Sequence, residues 1–272
     1  MVPWAMPRGC AMLVAHGRRA HGAPRGSGGQ MGEKNGRAGS GLTGTEAPHG
    51  LRHADPSTRG VVVFDFDGTI ADTLPSIVAV ARHVLSAWGL PQERLADCPK
   101  LVGPPFPQAF SMVFGLSEAD AREVTRRYRE EYGALGPEAW PAFSGMGALL
   151  EGLRASGRLL AVASSKRTEI LHRALSDEGL LGRFDVVRGK QSDAQQSKAE
   201  TLSAVLEDLG VAADDAVMVG DRHFDVDAAL ACGVPCVGVT YGGTAPLGEL
   251  EEAGACTVAG SVEELGHVLL GR

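Results

Sequence analysis

Short apolar runs alternate with amphipathic stretches from residue 60 to the end of the chain. The run 61–64 (Val-Val-Val-Phe) is apolar throughout, which is typical of a strand buried on both faces of a parallel sheet. Further β-branched runs predict strands at 159–163, 185–188, 216–219, 235–239 and 256–258. Helical periodicity between them predicts helices at 145–156, 167–178, 199–209, 224–232 and 261–270. The alternation predicts an α/β fold with a mostly parallel sheet.

A purely helical pattern occupies residues 75–143. Ile77, Val80 and Val84 recur at three- and four-residue spacing, which predicts one amphipathic helix. Ser117, followed by acids in the next turn, is a typical start for a second helix. Because no convincing strand interrupts the segment, we expect an all-helical insertion between the first strand and the rest of the sheet.

The first 59 residues differ from the remainder in composition. They contain eight Lys and Arg against three acids, a net charge of 8 − 3 = +5, whereas the whole chain carries −7. They also hold twelve of the 37 glycines and show no apolar periodicity. Such a segment buries too little apolar surface to offset its conformational entropy, so we expect 1–59 to be a disordered extension.

Overall composition excludes several classes of protein. A net charge of −7 over 272 residues argues against general nucleic-acid binding. No apolar run approaches the ~20 residues that a membrane-spanning helix needs, so we expect no membrane partner. Five cysteines without Cys-x-x-Cys spacing fit a reduced, cytoplasmic protein. A monomer and a homodimer are equally compatible with this sequence.

Two carboxylates follow the first predicted strand. Asp65 and Asp67 are one residue apart in Asp-Phe-Asp-Gly-Thr, and Gly68 allows a sharp turn behind them. Ligands of open α/β sheets bind at the carboxyl ends of the strands. Carboxylates so close repel each other unless a cation lies between them or one is protonated. The pair therefore suits a nucleophile and an acid/base that share a hard metal ion.

Other polar residues follow the later strands in a consistent order. Ser164 ends the apolar run 159–163, Lys198 precedes the helix at 199–209, and Asp221 and Asp225 follow the strand at 216–219. Together with the first aspartates, this series resembles the four motifs of the haloacid dehalogenase-like (HAD) hydrolases, which are mainly phosphatases. The resemblance implies a Rossmann-like core of residues 60–74 and 144–272 with residues 75–143 as an inserted α-helical cap.

The resemblance also implies roles for these residues. Asp65 is expected to be the nucleophile that forms an aspartyl-phosphate, and Asp67 the acid/base. The Ser164 hydroxyl and the Ser165 N–H are expected to bind phosphoryl oxygens, and the Gly68 loop to border the substrate. Lys198 would neutralise phosphate charge. Lys166 and Lys190 are rival lysines, but Lys198 lies where the family places its own.

Mg²⁺ is the cofactor that the resemblance implies. Asp65, the carbonyl of Asp67 and Asp221 would be ligands, with Asp225 binding directly or through water. Two further polar residues have less defined roles. Asp227 is expected to be a solvated helix residue, whereas His223 is equally compatible with facing the substrate or with simple exposure.

The substrate class is less constrained by the sequence. Gly103-Pro104-Pro105-Phe106 and the Gly220-Asp221-Arg222-x-x-Asp225 motif resemble the phosphoglycolate phosphatase and 5′-nucleotidase group. The expected substrate is a small phosphate ester, either phosphoglycolate or a nucleoside monophosphate. Phe106 would stack on a base or simply belong to the core of the cap. Lys100, the single lysine of the cap, is expected to be a surface charge. A β-phosphoglucomutase-like phosphotransferase and an inactive phosphate-binding module remain alternatives.

Overall fold

The structure, a computed structural model, describes residues 50–192 and 197–272. Most of the predicted disordered extension, 1–49, lies outside the described residues. Its remaining part, 50–59, forms two short 3-10 turns, Leu51–His53 and Pro56–Thr58. The Arg158 guanidinium donates a hydrogen bond to the carbonyl of Ser57, which belongs to the second of these turns. Residues 50–59 therefore contact the chain that follows, although the composition places them in the extension.

The described residues form one parallel sheet of six strands in the order β3-β2-β1-β4-β5-β6, which confirms the predicted α/β fold class. The strands are β1 Val61–Phe64, β2 Leu159–Arg167, β3 Val186–Lys190, β4 Ala216–Gly220, β5 Cys236–Val239 and β6 Thr257–Ala259. Their ends lie within two residues of the predictions, except that β2 continues past Ala163 to Arg167. A register shift against β3 accompanies this continuation.

The apolar character of β1 follows from burial on both faces. Val62 and Phe64 belong to one hydrophobic core, and Val61 and Val63 belong to another on the opposite side of the sheet. All four are at most 1% exposed. Because successive side chains of a strand point to opposite faces, a continuous apolar run is required when helices cover both.

The segment after β1 is helical, as its periodicity predicts, and no strand forms within residues 75–143. Its helices are α1 Leu74–Trp88, α2 Gln108–Phe114 and α3 Glu118–Gly133, with 3-10 turns at Arg94–Leu101 and Pro137–Ala139. Ser117 caps α3 by accepting a hydrogen bond from the Asp120 N–H, 3.1 Å away. The periodicity did not predict α2, because three prolines at 104–107 obscure its start. We call this segment the cap.

The remaining helices pack on the two faces of the sheet. They are α4 Met146–Ala155, α5 Thr168–Asp177, α6 Lys198–Leu209, α7 His223–Ala231, α8 Glu249–Ala253 and α9 Val262–Leu270. Five of them were predicted, and α8 was not. Among the described residues, no helix has both the length and the apolar character needed to cross a membrane.

The strand order creates a crevice between β1 and β4. The chain moves outward from β1 through β2 to β3, and then returns to the other side of β1 as β4. At such a switch point the connecting segments leave in opposite directions, and the carboxyl ends of the two strands border a natural ligand site. Asp65 follows β1 and Asp221 follows β4 at this crevice.

Candidate active site

The loop after β1 places Asp65 at the crevice. The Asp65 N–H donates to the Val219 carbonyl of β4 at 2.9 Å, so the residue still follows the sheet, and it is 5% exposed. Gly68 then turns the chain with a φ of +76°, which residues with a Cβ rarely adopt. A Cβ at this position would also lie 2.2 Å from Asp221 Oδ2, so no larger residue fits without rearrangement.

Asp221 is held by two hydroxyl groups. Thr69 Oγ1 donates to Asp221 Oδ1 at 3.3 Å, and Thr244 Oγ1 donates to Asp221 Oδ2. The Tyr241 hydroxyl in turn donates to the Thr69 carbonyl at 2.8 Å. The sequence analysis identified neither of these two hydroxyl contacts. No local signal marks Thr244, because its contact depends on the path of the loop after β5.

Three carboxylates form a buried cluster. Asp65, Asp221 and Asp225 each offer an oxygen within 4.8 Å of the others. Burial raises the pKa of Asp65 to about 6, opposed by the Lys198 ammonium and reinforced by the neighbouring aspartates. Burial, followed by the charges of Asp225 and Asp65, also raises the pKa of Asp221 well above its usual value. The cluster thus holds more negative charge than its surroundings balance.

Lys198 lies at the first position of α6. The helix starts there because Ser197 and Glu200 form a capping box: the Glu200 N–H donates to Ser197 Oγ, and Glu200 Oε2 accepts from the Ser197 N–H. Lys198 Nζ lies 2.8 Å from Asp65 Oδ2 and also contacts Asp225 Oδ1. These carboxylates raise the pKa of Lys198 despite its burial, so the ammonium remains charged.

Lys166, the rival lysine, has a different partner. Its Nζ lies 2.7 Å from Asp67 Oδ1 and 3.3 Å from the hydroxyl of Tyr132 in the cap. The ammonium also lies 4.7 Å from the centre of the Tyr132 ring. The lysine belongs to the extension of β2 beyond Ala163, which the strand pattern did not predict. The site therefore contains two lysines, one on each of the first two aspartates.

Ser164 and Ser165 border the site from the same extension of β2. Ser164 is 1% exposed, and its Oγ accepts a hydrogen bond from the Lys166 N–H at 3.3 Å. Both serines line a cavity of about 90 Å³ that also reaches Asp65 and Asp67. The structure thus brings both serines to the same cavity as the first two aspartates.

The cap closes the cavity from above with aromatic and basic residues. The cap contributes Phe106, Tyr128, Arg129 and Tyr132, and the core adds Lys166 and Arg167. The Phe106 ring also packs against Phe110 at 4.8 Å and edge-on against Tyr128 at 5.0 Å. Phe106 therefore belongs to the aromatic core of the cap and also borders the cavity, while its stacking on a base stays a prediction.

The remaining polar residues of the sequence analysis lie outside the cavity. Lys100 is exposed and pairs with Asp97 at 2.7 Å, as expected of a surface charge. Asp227 is exposed on α7, also as expected. His223 is partly exposed, and its Nδ1 lies 3.1 Å from Glu249 Oε1.

Comparison with known proteins gives this geometry a family. The sequence model of the haloacid dehalogenase-like hydrolase family matches residues 62–239, which include every motif described above. The chain belongs to this family. It is 36% identical over 211 residues to the tyrosine-protein kinase PtkA of Mycobacterium tuberculosis, covering 77% of this chain and 72% of PtkA. It is 32% identical over 182 residues to a 5′-nucleotidase of Pseudomonas aeruginosa, covering 66% of this chain and 82% of that protein.

A solved structure shows the same fold. A predicted phosphatase from Clostridium acetobutylicum superimposes with a TM-score of 0.75 at 33% identity, covering 79% of this chain and all of that one. The family and these relatives identify the protein as an enzyme, a HAD-like phosphatase.

Proposed function

We propose that this protein is a Mg²⁺-dependent phosphatase that hydrolyses a small phosphate ester through an aspartyl-phosphate on Asp65. The observation that carries the proposal is the position of Asp65. One of its oxygens contacts Lys198, while Oδ1 is buried and has no hydrogen-bond partner among the described residues. A buried carboxylate oxygen without a partner is costly, and such groups are typical of catalytic or metal-binding sites.

The residues fit a bound magnesium ion. Mg²⁺ prefers hard oxygen ligands, and Asp65, Asp221 and Asp225 offer only oxygens. The orphaned Asp65 Oδ1 and the raised pKa values of Asp65 and Asp221 indicate an excess of negative charge that a divalent cation would relieve. Mg²⁺ held by these carboxylates and the Asp67 carbonyl would supply positive charge next to the phosphoryl oxygens.

The proposed first step transfers the phosphoryl group to the enzyme. A carboxylate oxygen of Asp65 forms a bond to phosphorus while the bond between phosphorus and the ester oxygen breaks. Asp67 gives its proton to the departing oxygen, so the leaving group departs as an alcohol. Lys198 contacts Asp65, and Ser164 lines the cavity that Asp65 reaches, so both would bind the phosphoryl oxygens during transfer.

The proposed second step returns the enzyme to its starting state. Water adds to phosphorus, the bond between Asp65 and phosphorus breaks, and Asp67 accepts the proton of the attacking water. The contact between Lys166 Nζ and Asp67 Oδ1 fixes the direction of the Asp67 carboxylate. The cap over the cavity would limit access of other water molecules during the first step.

The size of the cavity favours a small substrate. Pockets for drug-sized ligands span roughly 300–1,000 Å³, whereas this one holds about 90 Å³. A phosphate with a short carbon chain, as in phosphoglycolate, is compatible with that volume. A nucleoside monophosphate would require the cap to move outward, so we propose the smaller class. Arg129, Lys166 and Arg167 along the wall suit an anionic substrate.

Phosphate release tests this function directly. The wild type, Asp65→Asn and the control Asp227→Asn are assayed on an aryl phosphate, phosphoglycolate and nucleoside monophosphates, with Mg²⁺ or excess chelator. We expect Asp65→Asn to lose on the order of 1,000-fold or more in rate, because the amide is a poor nucleophile. The exposed Asp227 should tolerate the same change. Full activity in chelator, or a tenth of the wild-type rate in Asp65→Asn, would reject the mechanism.

The relative that is named as a tyrosine kinase gives reason to test an acceptor other than water. The same aspartyl-phosphate could pass its phosphoryl group to a hydroxyl that enters in place of water. Reactions with added alcohols and with a tyrosine-containing peptide separate the two outcomes. Free phosphate as the sole product identifies a hydrolase, whereas phosphorylated acceptor identifies a phosphotransferase.

A further inference from the structure

Arg222 lies between Asp221 and Asp225, but its side chain contacts other groups. Its Nε donates to Glu249 Oε1 at 2.8 Å, and its Nη2 donates to Glu249 Oε2 at 3.4 Å. The guanidinium is nearly buried, with the side chain 11% exposed. Glu249 is the first residue of α8, so this bidentate pair joins the loop after β4 to the loop region after β5.

The third nitrogen of the guanidinium reaches the cap. Arg222 Nη1 donates a hydrogen bond to the Val102 carbonyl, 120 residues earlier in the chain. The next residue, Gly103, has a φ of +108°. A Cβ at Gly103 would lie 3.0 Å from Arg222 Cγ and Nη1, and 3.2 Å from the Phe224 ring. The backbone of the cap therefore lies directly against the arginine, in a conformation that favours glycine.

The backbone of Arg222 supports the carboxylate cluster at the same time. Its N–H donates to Asp225 Oδ2 at 3.1 Å, and its carbonyl accepts from the Asp225 N–H at 2.9 Å. One residue thus contacts both a carboxylate that would bind the metal and the segment 101–104 of the cap, which lines the cavity.

Glu249 also contacts the residue after Arg222, His223, which is the first residue of α7. Glu249 Oε1 accepts from the His223 N–H at 2.9 Å and lies 3.1 Å from His223 Nδ1. His223 therefore supports the partner of Arg222 and does not border the cavity. This position accounts for a histidine whose role the sequence left open.

We propose that Arg222 and Glu249 form a latch that holds the cap segment 101–104 over the cavity and ties it to the loop of Asp221 and Asp225. Arg222 is then a positioning residue that acts through the Val102 carbonyl. Only the expected effect of the latch on substrate binding rests on the proposed function, because segment 101–104 would enclose the phosphate ester. Its effect on the cap itself is independent of any reaction.

Amide hydrogen exchange in the intact protein tests the latch without turnover. The variants are Arg222→Met, which keeps an unbranched apolar stem and removes the donors, and Glu249→Gln, which keeps the shape and removes the charge. Arg188→Met is the matched control, because Arg188 on the edge strand β3 forms a bidentate pair with Asp208 of α6. We expect exchange in residues 99–107 to accelerate roughly tenfold in both latch variants, as expected for local opening. Peptides of β1 and β4 should not change.

Kinetics on the aryl phosphate and phosphoglycolate provide the second measurement. A loosened cap segment should raise KM roughly tenfold while kcat stays within about threefold, because binding is lost and the reacting groups remain. Unchanged exchange in residues 99–107 would overturn the latch. Faster exchange in β4 in both variants would also overturn it, because it indicates general loosening of the fold. A higher Mg²⁺ requirement at constant KM would overturn it as well. Inactivity of the wild type on all phosphate esters would reject the proposed function and leave the exchange result valid.

Discussion

Replacing Asp65 by asparagine is expected to remove turnover and at the same time stabilise the metal-free protein. The two effects have one cause. The structure buries the Asp65 carboxylate beside Asp221 and Asp225, and this burial raises the pKa of Asp65 to about 6. Asparagine has nearly the same shape and no charge, so it removes the nucleophile and the repulsion together. Functional sites often carry such a cost in stability.

The magnitude follows from the pKa. The usual pKa of an aspartate is near 3.8, and in the folded protein that of Asp65 is about 6. At neutral pH this difference corresponds to at most about 3 kcal/mol, since each pKa unit equals about 1.4 kcal/mol. The opposing attraction of Lys198 is already contained in that value. We expect a gain of about 1–3 kcal/mol, or roughly 2–12 °C in Tm for a chain of this size.

The sign of the pH dependence is also defined. Because the folded pKa of Asp65 is raised, the unfolded chain releases this proton first as the pH rises above about 4. The folded wild type therefore loses stability between about pH 4 and pH 6, and the loss is complete above pH 6. The advantage of Asp65→Asn should be absent near pH 4, grow through this window and then stay constant.

The assay is denaturant unfolding in excess chelator at several pH values between 4 and 8. The wild type is compared with Asp65→Asn and with Asp227→Asn, whose exposed carboxylate should make no difference. Added Mg²⁺ should stabilise the wild type more than Asp65→Asn, because the ion binds the folded state through this carboxylate. A less stable Asp65→Asn at pH 7.5 in chelator would refute the argument that the cluster is under electrostatic repulsion.

Two further predictions concern single contacts, and a third concerns the segment 50–59. Asp221→Ala should raise the Mg²⁺ concentration needed for half-maximal phosphate release at least ~10-fold, because a metal ligand is lost; an unchanged requirement contradicts this. Lys166→Met should lower kcat by roughly 10–100-fold, because Asp67 loses the contact that orients it. The control Lys100→Met breaks an exposed ion pair of equal length and should leave kcat unchanged. Equal effects of the two variants would argue against this role of Lys166. Starting the chain at residue 60 instead of 50 should lower Tm by several degrees through lost contacts of 50–59, and an unchanged Tm contradicts this.

The sheet and the order of the candidate catalytic residues could be predicted because each is encoded locally. An apolar run buried on both faces identifies a strand without knowledge of its neighbours. The residues that follow such runs, among them Asp65, Ser164 and Asp221, must meet at one edge once the strands are parallel. Lys198 was identified only through the family resemblance, although the Ser-x-x-Glu capping box also predicts the start of its helix.

The contacts that the sequence did not reveal join segments that are distant along the chain. Thr244 binds Asp221 because the loop after β5 returns to the crevice, and no periodic pattern describes that path. Lys166 was weighed against Lys198 for one role, but a bulged extension of β2 gives it a separate partner in Asp67. The short helix α8 has too few residues for a helical pattern, although it supplies Glu249.

This difference explains why the reaction is easier to infer than the substrate. Several of the proposed reacting groups, such as Asp65 and Ser164, lie at strand ends, whose positions the whole sheet holds in place. The groups that enclose the substrate come from the cap, and the cap depends on a few polar contacts with the core. Lys166 to Tyr132 is one of these contacts and Arg222 to Val102 is another. Because Lys166 contacts Asp67 and Arg222 contacts Asp225, a change in the cap that admits a different substrate would also act on the two aspartates proposed for catalysis and metal binding. Under the proposed function, selectivity and catalysis are therefore physically coupled, and substitutions that broaden the substrate range should lower kcat/KM on the original substrate as well.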